Sequence, residues 1–309
     1  MSSPRGGHVW VDGRLLPADG LHLSAFDRGF QLGDGVFETL RARAGHPTEL
    51  AQHVARLHRS AAGLDIALPP DIDTRLAGGI AALLAADGFD GPEGDASIRI
   101  TVSRGAFHER GLVPPDETAG PTIAIQVWPV VPAPPGHLTR GLHLVASAVR
   151  RDPSNPIVTL KTTSRADYVY ARLEARRAGA DDALFLTIDD HLSEGTTANI
   201  FLVRRSPGDG APELATPSLA CAILPGTTRS WLLGWAGRVG LRPFEGLLTR
   251  ADLAGADEAF LSSSVAGILP VTRFDGAPIG DGSPGPWTRR ARADREAMIG
   301  AAVTDGAPG

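Results

Sequence analysis

Residues 129–136 read PVVPAPPG, and no helix or central strand accommodates that run in its interior. Proline lacks an amide donor and fixes φ, so such a stretch interrupts a hydrogen-bonded ladder and behaves as a stiff spacer. It predicts a boundary between two lobes: a smaller N-terminal α+β domain over 1–128, a linker over 129–136, and a larger C-terminal domain over 137–309. The length agrees, because 309 residues exceed what one small core encloses.

Patterning on either side of the linker is mixed. Period-two alternation predicts strands over 8–11, 36–43, 97–103 and 121–128, with a turn at Asp12 and Gly13 and a second short strand over 48–50 after Gly45. Helical spacing predicts helices over 52–64 and 72–86. Beyond the linker, strands are expected over 142–149, 183–188, 200–203 and 259–262. Helices are expected over 164–179, 227–239 and 289–303, the first capped by the Ser164 side chain, and the tail 304–309 is expected to fray. Strands and helices do not alternate regularly, so the fold class is α+β, two-domain, rather than a doubly wound sheet.

Composition excludes several function classes. A formal net charge of -5 gives no basic surface for nucleic acid or anionic lipid. No run approaches the roughly 20 apolar residues of a membrane helix, and Met1 to Gly20 has no apolar signal core, so a cytoplasmic protein is expected. Cys221 is the only cysteine, which rules out an intramolecular disulfide and a CxxC site. His53 and His58 lie five apart, off the spacing of a helical metal pair, and no metal is expected. Neither a GxSxG elbow nor a P-loop occurs.

One count stands out. Lys161 is the only lysine among 30 basic residues. Arginine meets every other need for positive charge, but a guanidinium stays protonated and cannot replace an amine nucleophile. Lys161 lies in TLKTTSRADY (159–168), in a turn before a helix. HLSEGTTANIF (191–201) places Glu194 after a strand; an isolated loop glutamate is commonly just solvated, but a carboxylate beside a pyridine nitrogen keeps that nitrogen protonated. LPGTTRS (224–230) puts Thr227 and Thr228 at a helix start, where hydroxyls and amides suit an anion or simply a cap. FLSSSVAGILPV (260–271) adds Ser264 and the amides that follow it.

Together with FDRGFQLGDGVFETLR (26–41) and HVARLHRSA (53–61), these segments resemble the class IV aminotransferases, pyridoxal-phosphate enzymes of fold type IV, over residues 9–276. The resemblance implies pyridoxal 5'-phosphate on Lys161 as a Schiff base and Glu194 at the ring nitrogen. Arg56, Thr227, Thr228 and Ser264 are then expected at the phosphate, and the amides of Val265 and Ala266 at a substrate carboxylate. It implies a homodimer acting on amino acids and 2-oxo acids. The KTTSRA run lacks the tyrosine, and SVAG the glutamate, of the branched-chain pattern. SRGAFHERGL (103–112) and Arg165 are similar to the D-amino-acid transaminase and 4-amino-4-deoxychorismate lyase branch. There Arg104, His108 and Arg110 are candidates for binding a substrate carboxylate. A transaminase is expected, with the lyase, releasing pyruvate and 4-aminobenzoate, as the alternative. A non-catalytic cofactor-binding protein is the alternative from another class.

Overall fold

The computed structural model describes residues 7–114, 120–206 and 210–304. Contacts group the chain into two units: Met1–Val131, Leu160–Arg165 and Ile299–Gly309 in one, Pro132–Thr159 and Ala166–Met298 in the other. The division falls inside the proline-rich run. Pro129 ends the strand Thr122–Pro129, and Pro135 opens the short helix Pro135–Thr139, where a first-turn proline loses no hydrogen bond.

The first unit is built on a six-stranded antiparallel sheet, ordered Arg14–Pro17, His8–Val11, Thr122–Pro129, Asp95–Ser103, Gly35–Arg43, His46–Pro47. Its register follows from alternation. Ala96, Ile98, Ile100 and Val102 are fully buried, as are Val36, Leu40 and Ala42, and all join one core with the helices Leu50–Ala62 and Ile72–Ala86. The odd-numbered residues, Phe37 and Arg99 among them, project from the other face. The strand expected over 48–50 does not form. Thr48 precedes Glu49, whose left-handed backbone (φ 55°) starts the helix Leu50–Ala62.

The segment around Lys161 belongs to this first unit, not to the C-terminal domain expected to carry it. The short strand His46–Pro47 pairs only with Ala42 and Arg43, leaving the start of Gly35–Arg43 with unpaired backbone groups. Residues 161–163 fill that edge. The Phe37 amide donates to the Lys161 carbonyl at 2.9 Å and the Thr163 amide to the Gly35 carbonyl at 2.9 Å, with Val36 and Thr162 in an antiparallel bridge. This pairing also shifts the next helix, which runs Ala166–Arg177. Ser164 does not cap it; its hydroxyl donates to the Gly33 carbonyl.

In the second unit a nine-stranded mixed sheet runs Arg242–Gly246, Pro212–Pro217, Asn199–Arg205, Glu258–Ser263, Gly267–Phe274, Leu142–Arg151, Asp182–Thr187, Leu192–Gly195, with Ala277–Pro278 on Gly267–Phe274. Asn199 also pairs with Glu194, so the path from Asn199–Arg205 round to Leu192–Gly195 closes on itself. Leu184, Leu186, Ile200, Leu202 and Leu261 fill the enclosed side. Phe201, Val203 and Phe260 turn outward beneath the helices Thr227–Val239 and Pro286–Thr304, and Phe185 packs under Ala166–Arg177. Strands covered on both faces read as continuous apolar runs, which is why DALFLT is buried throughout. The strands Leu192–Gly195, Pro212–Pro217, Arg242–Gly246 and Gly267–Phe274 escape the sequence reading because they are short, proline-bearing or glycine-led. The helix expected from 289 starts at Pro286, its first turn bound by the buried Glu258 carboxylate. Residues 305–309 of the tail lie outside the described residues.

Candidate functional site

The candidate residues fall into two groups, one on each unit. In the first unit Lys161 is held by its backbone: its amide donates to the Ser60 hydroxyl at 3.0 Å, and its carbonyl accepts from Phe37. A short arm from a fixed backbone is what a nucleophilic amine needs. The amine lies 4.5 Å from the centre of the Phe37 ring. Two more cations share that ring, the Arg99 guanidinium at 4.0 Å and that of Arg165 at 5.7 Å.

Arg56 lies on the helix face that covers the sheet. Its Nε and Nη2 donate to Glu38 at 2.8 and 2.6 Å, and His53 Nδ1 is 2.7 Å from the same carboxylate. All three side chains are buried. Burial alone would raise the Glu38 carboxyl, but hydrogen bonds from Arg56 and His53, with their charges, hold it down at about 2. Burial pushes His53 below its ordinary value. Sequence reasoning assigned nothing to Glu38 or His53. The signal was present, since His53 and Arg56 are three apart on one helix face, opposite an even-numbered acid in a strand whose even positions point inward.

The loop after Asp95–Ser103 is tied to its surroundings through Arg104 and Arg28. Arg104 donates twice to Asp34, at 2.8 and 3.1 Å, and to the carbonyls of Asp65 and Leu64 at 2.8 and 2.6 Å. These bonds brace the end of the helix Leu50–Ala62. Burial would raise the Asp34 carboxyl, but Arg104 and then Arg28 hold it below its ordinary value. Arg28 also binds the carbonyls of Gly111 and Leu112, tying the loop down. His108 and Arg110 are exposed, and His108 tilts against Phe26 with ring centres 4.6 Å apart.

In the second unit Glu194 sits within a strand rather than in the loop expected for it, because Asn199 pairs with it across the sheet. Its Oε2 accepts from the Leu224 amide at 3.0 Å and Asn199 Nδ2 at 3.3 Å. Its Oε1 accepts from the Tyr168 hydroxyl at 3.3 Å and lies 3.6 Å from Arg151 Nη2. Arg151 binds Asp167 and the Tyr168 hydroxyl and lies over the rings of Tyr168 and Phe185. Arg151, Tyr168 and Asn199 were not legible as site residues, since only strand pairing and a helix turn bring them to Glu194.

The Leu224 amide that binds Glu194 is three residues ahead of Thr227, so the acid and the helix start share one neighbourhood. Thr227 Oγ1 lies 3.1 Å from Ser264 Oγ, joining the N-terminus of Thr227–Val239 to the turn that links Glu258–Ser263 and Gly267–Phe274. Thr228 Oγ1 is 3.5 Å from Arg295 Nη2. In the same turn the Ala266 amide donates to Ser263 Oγ at 3.3 Å. Gly226 makes this packing possible: a Cβ there would come within 2.2 Å of Asn199 Oδ1. Donor amides, hydroxyls and a helix N-terminus fit a phosphate. The buried Glu194 carboxylate, bound by the Leu224 amide, fits a protonated ring nitrogen. Among the described residues no cluster suited to a metal ion occurs, and no helix is long and apolar enough to cross a membrane.

Comparison with known proteins gives the same chemistry. The family described as amino-transferase class IV matches residues 35–274. A D-alanine aminotransferase of Bacillus licheniformis is 28% identical over 92% of this chain and 94% of its own. A branched-chain aminotransferase of Thermoproteus uzoniensis, solved with norvaline, superposes with a TM-score of 0.82 at 28% identity, covering 95% of this chain and 95% of its own. Another similar branched-chain aminotransferase structure contains pyridoxamine 5'-phosphate. A 4-amino-4-deoxychorismate lyase of Pseudomonas aeruginosa superposes with a TM-score of 0.77 at 34% identity, covering 93% of this chain and 97% of its own.

Proposed function

Because the chain belongs to the class IV aminotransferases, enzymes that use pyridoxal 5'-phosphate, we propose that it moves an amino group between an amino acid and a 2-oxo acid. The observation that carries this reading is the sole lysine of the sequence, Lys161, with its backbone pinned by Ser60 and Phe37. When bound, the cofactor supplies an aldehyde that takes up the amino group and a ring that accepts electrons. Lys161 binds the cofactor and, once displaced by the donor amine, takes the proton from the donor's Cα as general base. Glu194, oriented by the Leu224 amide, Asn199 and Tyr168, keeps a proton on the ring nitrogen. Arg56, Thr227, Thr228 and Ser264 hold the phosphate. The amides of Val265 and Ala266, with His108 and Arg110, are the groups we assign to the substrate carboxylate; Ala266 would exchange its bond to Ser263 for one to the substrate. The chain acts as a homodimer in this reading, supported by the strongly exposed apolar side chains Leu21, Leu23, Phe30, Leu112 and Val113 on the first unit, which a partner subunit would cover.

A second reading is a 4-amino-4-deoxychorismate lyase, favoured by the SRG run at 103–105, by Arg165 and by the similarity to the Pseudomonas lyase. One experiment separates the two. The holoenzyme is incubated with D-alanine and 2-oxoglutarate, then with other donor pairs, and separately with aminodeoxychorismate. The transaminase reading expects amino transfer in the donor screen. Pyruvate from aminodeoxychorismate without net amino transfer would replace it with the lyase.

A further inference from the structure

We propose that the second unit carries a further binding site, one that takes a small carboxylic acid with an apolar body. The site is a cavity of about 360 Å³ lined from the helices Pro135–Thr139 and Pro286–Thr304 and the strand Gly267–Phe274. None of its lining residues is among those assigned to the cofactor or the substrate.

The sequence leaves this space open. Along Gly267–Phe274 the buried Ile268 joins the same core cluster as Ala291 of the terminal helix, and the buried Pro270 shares its face of the strand two residues on. Pro270, Ala293, Pro284 and Leu138 form the apolar wall of the cavity. Proline and alanine side chains are too short to close a gap that larger side chains would fill. Packed interiors leave few voids larger than a water molecule, and a concave apolar wall of this volume with a few polar groups on it is the usual make-up of a small-molecule pocket.

Two arginines give the cavity its charge. Arg289 and Arg292 both line it and lie three apart on one helix face. Each is bound through Nη1 alone, Arg289 to the Pro284 carbonyl and Arg292 to the Ile268 carbonyl at 2.8 Å. Among the described residues neither has a carboxylate partner, and Nε and Nη2 of each carry no hydrogen bond. Arg290 differs, since Asp294 lies 3.7 Å from it. Glu296 also lines the cavity, so two guanidinium charges stand against one carboxylate and the balance favours an anion. The guanidinium fork matches the two oxygens of a carboxylate. A bare inorganic anion would leave the apolar wall unused, and a neutral apolar molecule would leave the arginines unmatched. A carboxylate joined to a ring or a short chain meets both. This inference stands on the geometry of the second unit and is independent of the proposed function.

The test is calorimetric titration of the full chain, with pyridoxal phosphate present, with hydrocinnamate, which has no amino or oxo group to exchange. Saturable binding is expected. Arg289→Gln and Arg292→Gln should each weaken it about tenfold or more, the loss expected for one hydrogen bond between charged groups. Ala293→Phe, which fills the cavity, should abolish it. Hydrocinnamamide, the neutral analogue, should bind at least about tenfold more weakly than the acid. No saturable binding to the unmodified chain overturns the inference. So does binding that every variant leaves unchanged, as it would be in the substrate site, and so does an amide that binds as tightly as the acid. If Arg292→Gln does not fold, Arg289→Gln and Ala293→Phe, both at exposed positions, decide the matter.

Discussion

Glu38→Gln is the perturbation whose size the structure defines best. The carboxyl is fully buried and held at about 2, against 4.5 for its ordinary value, by Arg56 and His53 working against burial. A depressed carboxyl contributes stability that is complete above its unfolded value and is lost as pH falls through its folded value. Each pH unit of that depression is worth about 1.4 kcal/mol, so Glu38 contributes roughly 3 kcal/mol near neutrality. The amide keeps the shape but removes the Glu38 charge from the buried Arg56 guanidinium, and breaking a buried ion pair costs about 3–5 kcal/mol. Urea unfolding followed by tryptophan fluorescence, Trp10 reporting on the first unit, measures the difference between Glu38→Gln and the unmodified chain. The difference is expected to be about 3 kcal/mol or more near pH 7 and to shrink by about 2 kcal/mol near pH 3, where the native carboxyl begins to protonate. A difference that is small, or that stays constant across this range, refutes the claim that an ionised Glu38 anchors Arg56.

Other substitutions test neighbouring parts. Arg104→Gln should lower stability by about 2 kcal/mol through loss of charged hydrogen bonds, measured by thermal unfolding, while leaving KM values for a series of oxo acids in their native order; a selective rise in KM would return Arg104 to the substrate. Gly226→Ala forces Asn199 away from Glu194 and Leu224, and should weaken pyridoxal phosphate binding at least about tenfold in an absorbance titration, as an interaction loss of about 1.4 kcal/mol would. Tyr168→Phe removes one donor to Glu194. It should lower kcat with little effect on stability, and an unchanged kcat would detach Tyr168 from the function of Glu194.

How much was legible follows from the kind of signal each part carries. Alternation over long strands and the stripe of the helix Ile72–Ala86 place the first unit's core, because every second residue must face it. The closed sheet of the second unit was only half visible. Leu192–Gly195 and Gly267–Phe274 each pair with the strand just before them, but their second partners, Asn199 and Leu142–Arg151, are remote in sequence, and nothing local in LSEG or GILPVTRF announces them. Lys161, Glu194, Thr227 and Ser264 are singled out as candidates by composition and motif order. The groups that hold them, such as Glu38 under Arg56 and Tyr168 with Asn199 on Glu194, depend on which faces meet. The same holds for Arg104, whose partners Asp34, Leu64 and Asp65 the sequence does not reveal as its neighbours.

The central claim is that the amine of Lys161 carries the cofactor. Borohydride reduction of the holoenzyme followed by peptide mass spectrometry tests it most directly. The account predicts one phosphopyridoxyl adduct, on Lys161, with both adduct and visible absorption absent in Lys161→Ala. A reduced enzyme with no adduct on that peptide, or a Lys161→Ala variant that keeps both the absorption band and native turnover, would contradict it.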